Sequence, residues 1–279
     1  MRDANITVLA ADRGTLRPGA RLFTLDRWMT RHPGVFGDEV VVTARLRDHL
    51  PAAPSVVVVV APGAAPESFV DAPLPGLPGM LGATGPMTVS VTCPMRTEHA
   101  VGSTLSMYNQ HAGALPEALV EAVAAARRCG LLTLTGNVVL LLQRFVPAAA
   151  SAVVHASPVR GAPVRIDGRW GLTERLSEAD TFEVDGTAVS ETLAWKPTAS
   201  LAATGGTSTV PVPDGWRRSI GQDTVRELAA LARDAAVAAN TRLTLDIVLG
   251  DDGPVVLRCR PSKPAVGSRP TRDDVPGCH

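Results

Sequence analysis

Three charged residues near the end of the chain have the types and spacing to do chemistry. Asp246 lies on a run Leu243 to Leu249, and Arg258 and Arg260 lie on a run Val255 to Arg260. A Gly-Asp-Asp-Gly-Pro segment separates the runs, and two such runs joined by a short Gly-containing loop read as a β-hairpin. A five-residue loop would set Asp246 directly opposite Arg258. Side chains alternate between faces along a strand, so Leu245, Ile247, Leu249, Val255, Leu257 and Cys259 are expected to form a core face. Thr244, Asp246, Arg258 and Arg260, with Val248 and Val256, are expected on the other. A carboxylate beside two guanidiniums has two readings. One is an exposed cross-strand ion pair, worth roughly 0.2–1 kcal/mol and functionally silent. The other is a phosphate and metal site at the edge of a nucleotide cleft.

The rest of the chain must position that patch. Its 279 residues suit one large domain or two ordinary ones. The 27 basic and 27 acidic residues cancel, which removes the electrostatic case for nucleic acid or an anionic membrane as partner. Lys196 and Lys263 are the only lysines, so an anion grip here is mostly arginine, a bidentate fork. Cys93, Cys129, Cys259 and Cys278 show no Cys-x-x-Cys spacing and read as buried free thiols. The polar start and the short apolar runs lead us to expect a cytoplasmic protein without a membrane span.

Strands are expected at Ile6–Ala10, Val40–Thr43, Ser55–Ala61, Met87–Cys93, Asn137–Val146, Ser151–His155, Val164–Asp167 and Thr181–Val184. Helices are expected at Arg21–Met29, Leu115–Cys129 and Thr224–Asn240, the last opened by a Thr224-x-x-Glu227 capping box. Residues 62–86, rich in Gly and Pro, read as a long surface connection. The pattern suggests an α/β (α+β) protein with an N-terminal lobe at 1–130, a C-terminal lobe at 131–262, a cleft between them and a disordered tail at 263–279. His99 and His155 are potential acid/base groups or structural histidines. Gly205-Gly206 reads as a mobile loop in preference to a phosphate loop, since it lacks a following Lys-Ser/Thr and helix.

The order of short motifs resembles the N-terminal ATP-binding domain of the phosphoenolpyruvate synthase, pyruvate phosphate dikinase and rifampin phosphotransferase family, an ATP-grasp fold. Gly19-Ala20-Arg21 stands for the family's Gly-Gly-Lys, and Val40 to Thr43 for its Phe-Val-Val-Thr strand. Val91 to His99 is similar to its Val-Arg-Ser-Ser-x-x-x-Glu-Asp signature. Gln143-Arg144-Phe145-Val146 resembles the adenine hinge, Gly171-Leu172-Thr173-Glu174 its Gly-Leu-Gly-Glu, and the hairpin ending in Arg258-Cys259-Arg260-Pro261 its closing Gln-x-Arg-Pro.

The resemblance implies an ATP-grasp-like architecture and ATP-dependent phosphoryl transfer to a small molecule or to a separate phosphohistidine-domain protein. It assigns catalytic roles to Arg260, Arg258 and Arg96, nucleotide contacts to Arg21, Gln143, Arg144, Phe145, Val146, Glu174 and Lys196, and Mg2+ to Asp246. The sequence also departs from that pattern. Thr92 replaces an arginine, Asp246 shortens a glutamate, and Arg258 replaces a neutral glutamine. An arginine facing Asp246 competes with Mg2+ for the same oxygens. The resemblance therefore carries an alternative, a degenerate relative that binds a nucleotide, another anion or a partner without turnover.

Overall fold

The computed structural model describes residues 12–16, 20–64, 85–92, 106–172, 178–203 and 205–262. It is a mixed α/β protein built on two six-stranded sheets in which every neighbouring pair is antiparallel. The first sheet runs β1 (Asp12–Leu16), β2 (Ala20–Thr24), β3 (Ser55–Val60), β6 (Val138–Arg144), β4 (Met87–Val91), β5 (Ser106–Gln110). The second runs β10 (Ala188–Thr192), β9 (Asp180–Asp185), β8 (Val164–Trp170), β7 (Ala150–Ala156), β13 (Leu243–Gly250), β14 (Gly253–Pro261). A separate hairpin pairs β11 (Thr198–Ala203) with β12 (Gly206–Pro211). The change of sheet falls between Arg144 and Ala150, whereas the sequence suggested a lobe boundary at 130/131.

Among the described residues three α-helices cover these sheets. Along β3, Val56, Val58 and Val60 join a core with α2 (Leu115–Arg128) on one face. Val57 and Val59 face α1 (Pro33–Leu46) on the other. Strands buried on both faces read as continuous apolar runs, which is why SVVVVV is unbroken. The second sheet has one apolar face, formed by Ala152, Val154, Ile166, Phe182, Leu245 and Ile247, under the alanine-rich stripe of α3 (Gln222–Ala239).

Helix α1 corrects two expectations. Val40 to Thr43 is helical, not a strand, and Arg21 begins no helix: its backbone lies in β2, and a short 3-10 helix follows at Arg27–Arg31. The Val-Val-Val run in α1 divides its contacts. Val40, Val41 and Ala44 pack on the first sheet, and Val42 and Leu46 join the core of the second. A helix apolar all round is a buried one, and α1 is the element wedged between the two cores.

The Thr224 capping box does not form either. Gly221 is the N-cap, and no side chain caps the first turn. Strands β5, β10, β11 and β12 were not expected, because their exposed or polar residues hide the period-two signal. Of the thiols expected to be buried, Cys259 is buried, whereas Cys129 is exposed. The expected strand Ile6–Ala10, most of the 62–86 connection and the tail from 263 lie outside the described residues.

Candidate functional site

The free edge of β14 seams the lobes together. Thr43 Oγ1 accepts from the Cys259 amide at 3.2 Å and lies 3.3 Å from its carbonyl. The Val256 amide donates to Pro51 O, and Ala53 N donates to Val256 O. Gln143 Nε2 donates to Leu257 O at 2.8 Å and to Ser55 Oγ at 2.9 Å. An edge strand with unsatisfied amides is a liability, and here the first lobe covers it.

On the hairpin, Leu243 to Asp246 pair as expected and Asp246 faces Arg258. Between Asp246 and Ile247 the register slips by one, and the turn tightens to Asp251-Asp252. A bulge of one residue moves the following side chains to the opposite face. Val256 therefore joins the core beneath α3, while Leu257, expected in that core, turns to the other side.

That other side carries charge. Across the paired strands, Arg258, Asp246, Val153 and Asp167 form one row. Arg260, Thr244, His155 and Arg165 form the next, and Ser151 lies opposite Arg169. Asp246 is buried and held from both sides: Oδ2 lies 2.9 Å from Arg258 Nη2, and Oδ1 accepts from Arg260 Nη2 at 2.6 Å. Glu39 of α1, 1% exposed, brings Oε1 to 4.0 Å from Arg258 Nε. Burial alone would raise the Asp246 carboxyl, but the guanidiniums of Arg260 and Arg258 outweigh it and hold it lowered.

Two strands away, Asp167 accepts from Arg165 and from Thr181 Oγ1, with His155 Nε2 at 3.6 Å. Its burial is likewise outweighed, by the nearby His155 ring and by hydrogen bonds from Arg165 and Thr181, and its carboxyl falls to about 2. His155 Nδ1 lies 3.1 Å from Thr244 Oγ1, which lies 2.7 Å from Ser262 Oγ.

Beside the charged row lies an apolar cluster of Tyr108, Phe145, Leu172, Val248 and Leu257, with Val146 packed against it. The slip in the hairpin is what delivers Leu257 here. One face of the second sheet thus runs from arginines and carboxylates into a buried apolar cluster where the two sheets meet. On this face Arg258 Nη1 and Ser151 Oγ are buried donors without a hydrogen-bond partner. Such donors carry a desolvation cost that a ligand acceptor would remove.

Of the residues singled out from sequence, Asp246, Arg258 and Arg260 come together, and Phe145 and Val146 border them. Gln143 is buried in the seam, and the neighbouring Arg144 is exposed. Lys196 sits elsewhere. Its ammonium is fully buried, donating to Asp180 and to Ala194 O. Asp180 stands on β9 two residues before Phe182, on the face beneath α3, so this pair lies on the opposite side of the sheet from Asp246. Arg96 and Glu174 lie outside the described residues, as does the side chain of Arg21. Sequence reasoning missed Arg165, Asp167, Arg169 and Glu39. The alternation Arg165, Asp167, Arg169 was the available signal, cut short by ending the strand at Asp167.

The Mg2+ implied at Asp246 does not fit this donor set. Mg2+ takes oxygen ligands at about 2.0–2.1 Å in near-octahedral geometry. Both Asp246 oxygens already face guanidiniums, and Arg258 stands between Asp246 and Glu39. Among the described residues no three His, Cys, Asp or Glu side chains group as a metal site.

No family model matches the chain, and no curated protein matches it. Solved structures do. Phosphoribosylamine–glycine ligase from Thermotoga maritima is 14% identical, with a TM-score of 0.40 over 83% of this chain and 49% of that one. D-alanine-D-alanine ligase from Coxiella burnetii is 12% identical, with a TM-score of 0.38 over 81% and 48%. The ATP-grasp ligase PsnB, complexed with minimal precursor, is 15% identical, with a TM-score of 0.34 over 81% and 53%. The chain spans about half the length of these proteins. Likeness at this level carries no functional argument, and none of the three is a phosphoenolpyruvate synthase.

Proposed function

We propose that the chain is a nucleotide-binding module of ATP-grasp type, with the phosphate end of the ligand on the Arg258 and Arg260 row and its base toward Phe145, Val146 and Leu257. The observation that carries this reading is the buried Arg258 Nη1 without an acceptor, next to a buried apolar cluster on the same sheet face. A ligand with an anionic oxygen at one end and a flat apolar body at the other complements both halves. The order of motifs in the sequence supports the same class of ligand.

Thermal unfolding with ATP, adenosine and inorganic phosphate tests it. A ligand of the native state raises the midpoint by mass action, so ATP is expected to raise it more than either fragment. No shift with ATP at millimolar concentration would refute the reading.

Phosphoryl transfer or ligation in the same cleft, to a small molecule or a separate phosphohistidine domain, is the alternative, favoured by the motif order alone. Turnover of radiolabelled ATP in the presence of Mg2+ decides for it, and its absence leaves the binding module. Among the described residues no helix is long and apolar enough to cross a membrane.

A further inference from the structure

We propose that Arg258 takes the place of the divalent cation, so that the phosphate end of the ligand is bound by guanidinium directly and without Mg2+. The inference rests on the nucleotide-binding reading above and deepens it. It starts from the disagreement between the donor set and the metal.

In a metal-dependent site the cation bridges protein carboxylates and phosphate oxygens. Here Arg258 stands between the two carboxylates. Its Nη2 lies 2.9 Å from Asp246 Oδ2, its Nε lies 4.0 Å from Glu39 Oε1, and its Nη1 is buried with no protein acceptor. A guanidinium presents five N–H donors in a fixed fork. Two sides of this fork are turned to carboxylates, and the third is left for an oxygen that the protein does not provide. Arg260 donates to Asp246 Oδ1 at 2.6 Å, so each carboxylate oxygen faces a guanidinium.

For Mg2+ to enter, both guanidiniums would have to leave Asp246, and a dication would sit against two fixed positive charges in a buried setting where such repulsion is weakly screened. Free ATP brings only negative charge to the same place. Metal-free nucleotide is therefore the form that complements the site, and Mg2+ in solution competes for the phosphates.

Isothermal titration of the whole chain with ATP, once in EDTA and once in excess Mg2+, tests this without any variant. The expected dissociation constant in EDTA is equal to or lower than that in Mg2+. A constant in EDTA higher than that in Mg2+ overturns the inference while leaving nucleotide binding intact. Absence of binding in both buffers removes the nucleotide reading and the inference with it.

Arg258→Gln gives an independent measurement. It is expected to weaken binding in EDTA at least fivefold and to make the remaining affinity rise on adding Mg2+, because the freed Asp246 oxygen becomes available to a cation. A smaller loss in EDTA, with the variant's circular dichroism unchanged, overturns the assignment to Arg258. If Arg258→Gln does not fold, Arg258→Lys keeps the charge and removes the fork, and the same fivefold criterion applies to it.

Discussion

Two buried ion pairs lie on opposite faces of the second sheet, one anchored at β9 and the other on β13 and β14, and they are finished to different degrees. Beneath α3, Asp180 accepts from Lys196 Nζ, from the Ala194 and Ser219 amides and from Ser219 Oγ, while Lys196 also donates to Ala194 O. Every oxygen of that carboxylate is used within the protein. On the opposite face Asp246 faces two guanidiniums, but Arg258 Nη1 and Asp246 Oδ2 are both buried without a hydrogen-bond partner. A buried pair with all its hydrogen bonds made is closed, and one with a spare donor is complete only when something else arrives. The Asp180 pair faces inward and fixes how β9, Ala194 and Ser219 meet. The Asp246 pair faces the place where the two sheets come together.

The contrast between the pairs breaks first, and with the largest effect, at Lys196. Lys196→Met leaves Asp180 charged and buried, which costs about 3–5 kcal/mol in systems of this kind. Chemical denaturation is expected to show a loss of that size, and neither pyrophosphate nor ATP is expected to restore more than the wild-type protein gains from them. A loss below about 1 kcal/mol would mean that the pair is not closed as described.

Asp246→Ala is expected to cost somewhat less, about 2–4 kcal/mol, since Arg258 and Arg260 lose their carboxylate but lie on a face that can take an anion. Here the two pairs diverge in kind. Millimolar pyrophosphate is expected to raise the midpoint of the Asp246→Ala protein more than that of wild type, because it supplies the missing negative charge. Equal shifts for Asp246→Ala and Lys196→Met would erase the distinction.

How far this was legible in the sequence follows from which interactions are local. The pairing of Asp246 with Arg258 could be read because a short turn sets register and both residues belong to one hairpin. The bulge beyond Asp246 could not, since no Gly or Pro marks it, and it moved Leu257 from one face to the other. Lys196 and Asp180 lie 16 residues apart with β10 between them, and no periodicity links them. Val40 to Val42 resembled a strand because α1 is buried against both cores. A residue run that is apolar on every side loses the period that separates helix from strand. Arg169 was legible from the alternation with Arg165 and Asp167 had the strand been carried to Trp170, whereas Glu39 reaches Arg258 only through the tertiary fold.

A third cluster sharpens the comparison with pH. Asp167 is buried, but its partners Arg165 and His155 are substantially exposed. The folded-state carboxyl titrates at about 2 against an ordinary 3.8, so its contribution is present above 3.8 and is lost as pH falls from there toward 2. Asp167→Asn is expected to be less stable than wild type by roughly 1–2 kcal/mol above pH 5, with the gap closing by pH 2. Asp180 and Asp246 are also lowered and contribute in the same direction. The gap is read from urea midpoints across that range, and a gap that widens toward acid would reverse the sign and contradict the arrangement.

The smallest effect is expected where both members of the closed pair are replaced together. Asp180→Asn combined with Lys196→Met removes both charges, keeps an acceptor toward Ser219 and fills the ammonium's path with a flexible apolar chain of similar length. Replacing a buried ion pair by groups that need no counter-charge is often close to neutral, so the double variant is expected within about 1–2 kcal/mol of wild type, with ATP affinity unchanged. The corresponding double change on the other face, Asp246→Asn with Arg258→Met, is also expected to fold, yet to lose ATP binding. Folding stability alone does not separate the two pairs once charge is removed symmetrically. Affinity does, because only one of the pairs was left with a buried donor that no protein acceptor meets.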